Sequence, residues 1–348
     1  MTNTVFAIPG DIRSATGGYA YDRRVLELLP HFGIAIEHLP LPPSFPNPTA
    51  NDLAETRRLI ATTPYDATVL VDGLAFGALP ADIADCGGRR VIAVVHHPLF
   101  LETGLPHARK VELRASERAA LERADHVVVT SRATARILAD EMALDQKKVT
   151  VAEPGTDPAS RATGTGSPLH ILAVGAVSPR KNYELLIAAL VPLASLDWRL
   201  TIAGALDRHP AAVESLKTKI AAAGFDNRVT LAGKVVPATL DRYYDSADLF
   251  VSASLFEGYG MVLAEAMARG LPVVTATGGA AGDTARRSAA LHVAPGNQGE
   301  MTTALKRALT DKKLRDGLAD AAWDIGRTLP TWQETARRVA AVILDLKA

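Results

Sequence analysis

Short apolar runs recur along the chain and alternate with longer stretches in which apolar positions return every three or four residues. The short runs read as buried strands and the longer stretches as amphipathic helices, the pattern of parallel sheets covered on both faces. Strands are expected at 5–8, 34–39, 67–71, 91–95, 126–130 and 149–152, and again at 170–174, 200–203, 229–232, 249–252, 272–275 and 290–293. The two series are alike in number and spacing. The expected fold class is therefore α/β with two Rossmann-like halves, in place of one oversized sheet. Between the series, Glu153-Pro-Gly-Thr-Asp157-Pro and the small residues up to Pro168 cannot build a core, so a linker is expected there. This gives a first domain at 1–158, a second at 159–328 and an amphipathic helix within 329–348. The proline-rich segment 40–48 reads as a surface loop.

At 348 residues the chain exceeds what one hydrophobic core organises, in keeping with two domains. Lysine plus arginine equals aspartate plus glutamate at 38 each, with no long run of one sign, so no nucleic-acid partner is expected. Cys86 is the only cysteine, which excludes an intramolecular disulfide and a cysteine-based zinc cluster. No apolar run reaches the ~20 residues of a membrane span. Residues 1–10 lack a basic region followed by an apolar core, so no signal peptide is expected and cytoplasmic residence is the default.

The richest stretch runs from Ser252 to Pro272. The apolar run at 249–252 reads as a strand, Gly258 and Gly260 as a turn, and 262–269 as a helix stopped by Gly270 and Pro272. Glu257 then lies in the loop and Glu265 within the helix, roughly 7 Å along the axis from its start at about 1.5 Å per residue. That is the reach from the diphosphate of a sugar nucleotide to its ribose, and free N–H groups at the helix start favour an anion between them. Two solvated glutamates on an amphipathic helix would be the ordinary outcome for such a pair. A plain surface helix, however, has no need of glycine on both sides of Tyr259.

Other candidates follow strand ends, where α/β sheets bind ligands. The strand at 170–174 runs into Gly175-Ala-Val-Ser178-Pro-Arg180-Lys181-Asn182, placing adjacent cations at a strand-to-helix turn, suited to neutralising a leaving diphosphate. The strand at 91–95 ends in His96-His97-Pro98. One imidazole there could donate a hydrogen bond to a sugar; adjacent residues on an extended segment point opposite ways, so at most one does so. No third ligand is evident at metal spacing, so no zinc site is read. Near the start, Gly17 and Gly18 join the first strand to a helix and let backbone approach a ligand.

The segment from Glu257 to Glu265 resembles the Glu-x7-Glu signature of retaining glycosyltransferases of family 4, which have the GT-B fold of two Rossmann-like domains. The stretch from Gly175 to Asn182 is similar to that family's diphosphate-holding Gly-x5-Arg/Lys-Lys-Gly pattern, with Asn182 in place of Gly. Gly17 and Gly18 match its first glycine-rich loop, and His96 its strand-ending histidine, although a shift of one residue would select His97. Thr277-Gly278-Gly279 matches a further loop, but Asp283 replaces the usual nearby Glu; likewise Pro154-Gly-Thr-Asp157 lacks the family's Asn. The resemblance implies His96, Arg180, Lys181 and Glu257 as catalytic residues, and Gly17, Gly18, Val235, Gly258, Tyr259, Gly260, Met261, Val262 and Glu265 as donor-binding ones.

It implies transfer of a hexose-type sugar from a nucleotide-diphosphate donor to a glycan, glycolipid or lipopolysaccharide-type acceptor. The leaving phosphate itself takes the acceptor proton, so no protein base is expected; the cations and the helix dipole cover the phosphate charge, so no metal is expected, and no cofactor is implied. It also implies that the helix near 332–346 crosses back onto the first domain. A GT-B phosphorylase, a nucleotide-sugar epimerase and a non-catalytic sugar-nucleotide-binding protein are the rival readings. A weak peripheral membrane contact is also open. Arg109, Lys110, Arg114, Arg118 and Arg123 lie at helical spacing, but the interleaved Glu112, Glu117 and Glu122 point to a solvated, salt-bridged helix.

Overall fold

In the computed structural model, which describes residues 2–347, the chain forms two compact units, Met1–Gly155 together with Pro330–Ala348, and Thr156–Leu329. Each is a six-stranded, all-parallel sheet with helices between successive strands. The first sheet contains β1 (Thr2–Pro9), β2 (Ile34–Leu41), β3 (Thr68–Asp72), β4 (Arg90–Val95), β5 (His126–Val129) and β6 (Val149–Val151). The second contains β7 (Leu169–Val174), β8 (Trp198–Ala203), β9 (Val229–Gly233), β10 (Leu249–Ser252), β11 (Val273–Ala276) and β12 (Ala290–Val293).

All twelve expected strands are present, and the differences lie at their ends. β1 starts at Thr2 instead of residue 5, and β8 at Trp198 instead of residue 200. Trp198 is buried, donates its indole N–H to Leu193 O at 2.9 Å and carries the Arg228 guanidinium 3.7 Å from its ring centre. Those partners, distant in sequence, extend the strand. Central strands such as β3 and β10 are buried at every position, as residues covered by helices on both faces must be.

The first sheet runs in the order β2-β1-β3-β4-β5-β6 and the second β12-β11-β10-β7-β8-β9. In the first, the chain builds outward to opposite sides from β1 and β3; in the second, from β7 and β10. Each such switch point leaves a crevice at the carboxyl ends of two neighbouring strands.

The linker after Gly155 has no regular structure up to Gly166, yet it is pinned to the second unit. The Asp248 carboxylate accepts hydrogen bonds from the backbone of Thr165, Gly166 and His170. The helix Trp332–Asp345 begins in a reciprocal Thr331/Glu334 capping box, which satisfies two of the otherwise orphaned N–H donors. It buries Trp332, Ala336, Val339, Ala340 and Ile343 within the first unit, against the helix Gly17–Leu28. Gly155 is required there, because a Cβ at that position would fall 2.2 Å from the Trp332 nitrogen.

Candidate functional site

In the second unit the loops following β7 and β10 meet. Arg180 and Lys181 lie on a single 3-10 turn, Pro179–Lys181, whose start is capped by Ser178; the next helix is Tyr183–Leu190. Asn182 adopts φ +50°, a left-handed conformation that Asn tolerates and that turns the chain into that helix. Gly175 makes room for the lysine, since a Cβ there would come within 2.6 Å of Lys181 Cε.

Glu257 receives both cations. Lys181 Nζ is 2.7 Å from its Oε1 and Arg180 Nη1 is 3.3 Å from its Oε2, while the same Nη1 donates to Phe256 O at 2.8 Å. Glu257 is only 7% exposed. Burial by itself would push its pKa up, but the adjacent Lys181 and Arg180 outweigh it and hold the carboxyl at about 2. The loop is braced from β11's side: Glu257 N donates to Gly278 O, and Ala280 N to Glu257 O at 2.8 Å. Gly278 cannot carry a side chain, because its Cβ would lie 1.9 Å from Leu255 O.

The helix Met261–Ala268 starts at Gly260, with φ +91° and no side-chain cap, so its first N–H groups are available to an anion. One turn further on, Glu265 is half-buried and accepts the Tyr244 hydroxyl at 2.8 Å. Loss of water around Glu265 raises its pKa, against the lowering influence of that hydrogen bond and of Arg269. Val235 follows β9 as a half-buried residue, Tyr259 is buried, and Gly258, Met261 and Val262 are half-buried along the loop and helix start.

The first unit carries a cluster of its own at the ends of β3 and β4. His96 Nε2 lies 2.9 Å from Asp22 Oδ1 and 3.4 Å from Asp72 Oδ2. Gly18 lies against the imidazole, where a Cβ would come within 3.2 Å of His96 Cδ2; Gly17 is exposed at the helix start. Burial opposes a charged imidazole, but Asp22 and Asp72 reverse that and raise the His96 pKa; burial also raises that of Asp22. His97 turns elsewhere, 3.7 Å from Glu102.

Both halves of the chain match glycosyltransferase families. Residues 14–160 match the family described as Glycosyltransferase Family 4, and residues 160–323 the one described as Glycosyl transferases group 1. The chain is similar to glycosyltransferases from residue 14 to residue 323. Mannosylfructose-phosphate synthase of Agrobacterium fabrum is 28% identical over 239 residues, 63% of this chain and 52% of that protein. The lipopolysaccharide core biosynthesis mannosyltransferase LpsB of Rhizobium meliloti is 33% identical over 129 residues, 36% of this chain and 34% of that protein. The chain thus spans about half the length of the first of these relatives, and less of the second. Among solved structures, sucrose-phosphate synthase from Thermosynechococcus elongatus superposes with a TM-score of 0.84 at 19% identity, covering 99% of each chain. Anabaena HepE in complex with UDP-glucose gives 0.78 at 17% identity, covering 99% of this chain and 100% of that one.

On this GT-B fold the expected site residues fall into two groups. Arg180, Lys181 and Glu257 are in direct contact, and Glu265 follows on the adjoining helix; His96, Gly17 and Gly18 assemble in the first unit. Of the two histidines, His96 is the one packed beneath Gly18.

Sequence reasoning missed three partners. Asp22 and Asp72 converge with His96, two carboxylate oxygens and a ring nitrogen all lying within 4.8 Å of one another, where no third group had been expected. Tyr244 binds Glu265 across 21 positions. The helix His107–Leu121 is salt-bridged through Arg109–Glu112, Arg118–Glu122 and Arg114–Glu141. Glu117, however, is not solvated as expected: it is 1% exposed and accepts the Leu99 N–H at 2.9 Å. Among the described residues no helix is long and apolar enough to cross a membrane.

Proposed function

We propose that the protein transfers a hexose from a nucleoside-diphosphate sugar, UDP- or GDP-linked, to a hydroxyl of a glycan, glycolipid or lipopolysaccharide-type acceptor. The anomeric configuration is retained and no metal ion is required. The observation that carries this reading is the Lys181–Glu257–Arg180 cluster at the β7/β10 switch point, beside a helix start that no side chain caps.

As the glycosidic bond to phosphate stretches, negative charge builds on the leaving diphosphate. Fixed cations and backbone N–H groups stabilise that charge better than they stabilise the ground state. Lys181 and Arg180 together exceed the charge of Glu257 by one, so the cluster retains net positive charge for a diphosphate. The Glu257 oxygens keep lone pairs beyond those used by the two cations, and these accept sugar hydroxyls, which orients the ring. Glu265, set in place by Tyr244, accepts the ribose hydroxyls. His96 donates to an oxygen of the bound substrate. Because the leaving phosphate takes the acceptor proton, no protein base is required, and the side-chain cations take the place a divalent metal would otherwise fill. The names of the relatives, which describe sugar transfer, and the UDP-glucose held by HepE support the donor class.

The test begins with thermal unfolding in the presence of UDP, GDP and ADP, since a ligand bound only by the folded state raises the transition temperature. The matching nucleotide sugar is then supplied with candidate acceptors in excess EDTA, and the linkage of the product is read by NMR. Release of nucleoside diphosphate only when acceptor is present, with a retained anomeric centre, is the expected result. Acceptor-independent turnover, or an inverted product, would reject the proposal.

A further inference from the structure

His96 is gripped by two acids that arrive from different elements, Asp22 from the helix Gly17–Leu28 and Asp72 from the end of β3. Both approach the same nitrogen, Nε2, at 2.9 and 3.4 Å. Asp22 is wholly buried and Asp72 3% exposed, whereas the His96 side chain keeps 18% exposure. Asp72 is already committed on its other oxygen, which caps the turn after β3 by accepting Leu74 N–H at 2.7 Å. The other oxygen of Asp22 has no hydrogen-bond partner. Two buried carboxylates are therefore left to a single cationic partner. Leaving them beside a neutral ring would strand charge away from water, an arrangement that folded proteins avoid.

The ring is also fixed in orientation. Tyr21 meets it edge-on, with centroids 5.0 Å apart and planes at 71°, and Gly18 closes over Cδ2. With Nε2 engaged by the acids and Cδ2 beneath the glycine, Nδ1 is the nitrogen that the acids do not use. The titratable groups facing the ring are Asp22 and Tyr21 from the helix and Asp72 from β3. The Tyr21 hydroxyl is itself occupied with Ala152 O at 3.1 Å.

We propose that Asp22 and Asp72 are positioning residues for His96: they lock its Nε2–H inward and keep the ring cationic, so that Nδ1–H is offered as a charged hydrogen-bond donor of fixed direction to a substrate oxygen. A neutral ring donating through Nε2 would have only a lone pair at Nδ1, and would repel a phosphate or compete with a carboxylate for a proton. The proposal rests on reading His96 as a substrate-facing residue of the transferase. It adds that the residue works only as the third member of a buried set, and that Asp22, hidden inside a helix, governs it.

The deciding measurements are side-chain 15N NMR of His96 and a kinetic double-mutant cycle on the full chain. In the wild type, both ring nitrogens of His96 carry protons near pH 8; Asp22→Asn lowers its titration midpoint by at least about one unit. In transfer assays, Asp22→Asn lowers kcat by about tenfold when His96 is present and less than about twofold in a His96→Ala background, as expected of a residue acting through another. If Asp22→Asn does not fold, Asp72→Asn, which retains an acceptor for Leu74 N–H, gives the same comparison. A wild-type His96 that is neutral near pH 8 overturns the proposal, as does an equal loss in both backgrounds. Zinc ion that raises the wild-type melting temperature but not that of Asp22→Asn also overturns it, the three side chains then being ligands. The NMR measurement needs no substrate, so it decides the positioning even if no nucleotide sugar is turned over, which would reject the transferase reading instead.

Discussion

Lys181 and Glu257 meet at 2.7 Å across 76 positions of sequence, joining the loop after β7 to the loop after β10. The pair binds the two halves of the switch-point crevice together and helps to hold the Glu257 carboxyl ionised where a diphosphate would bind. Glu257→Gln preserves shape and removes the charge. It is expected to lower kcat by at least about tenfold, because the lost contact acts in the transition state, and also to lower the melting temperature, because Lys181 and Arg180 lose the carboxylate they share. Lys181→Ala is expected to lower kcat/KM similarly and also to destabilise the fold, since Glu257 is left buried with one cation. Steady-state kinetics and thermal unfolding of both variants check this, and wild-type rates in both would rule out the assignment.

The Tyr244 hydroxyl at 2.8 Å from Glu265 predicts a nucleotide-side effect separable from chemistry. Tyr244→Phe removes one hydrogen bond to a half-buried carboxylate, a change of about 1–2 kcal/mol, equivalent to roughly 5- to 30-fold in affinity if the whole effect falls on binding. Calorimetric titration with the nucleoside diphosphate that gives the largest thermal shift should show weakened binding, while kcat at saturating donor changes less.

Glu117 predicts a stability slope with pH. Burial raises its carboxyl to about 8, opposed by the hydrogen bond from Leu99, against 4.5 for the free group. Between those values the folded protein holds one more proton than the unfolded chain, so stability falls as pH rises through that window. The loss is on the order of several kcal/mol. Glu117→Gln keeps an acceptor for Leu99 N–H and has no charge to bury. The variant should lack this slope and unfold at higher denaturant than wild type near pH 9.

Gly278 predicts a steric effect on the site from outside it. An added methyl would lie 1.9 Å from Leu255 O, inside the loop that carries Glu257. Gly278→Ala is expected to cost on the order of 2 kcal/mol or more and to weaken nucleotide binding, because the backbone must shift. Gly299→Ala, in the first turn of the helix Gln298–Thr310 with its nearest neighbour at 3.6 Å, is the matched control and should leave both unchanged.

What was legible in the chain follows from range. The strands are dense apolar runs whose burial is decided by the run itself, as in β3 and β10, so each was found with only its ends displaced. The Arg180–Lys181 turn and the loop from Glu257 to Met261 carry local punctuation in Pro179, Gly258 and Gly260, and these loops are where the sequence pointed. Asp22 has no such punctuation; it reads as one polar residue in an amphipathic helix, and its contact with His96 spans 74 positions. Asp72 reads as the polar end of a strand. Glu117 did carry a signal that went unread: Leu113, Ala120 and Leu121 share its helix face, and all are buried. That spacing places the carboxylate on the apolar stripe.

Because segment 330–348 completes the first unit while Thr156–Leu329 is compact by itself, the ribosome finishes the two in an order opposite to their numbering. The amino-terminal sheet precedes the second unit, but Tyr21 and Gly155 of the first are covered by Trp332, which follows the second in the chain. A truncation that removes the stretch from Trp332 to Ile343 therefore damages the unit from which it is most distant in sequence.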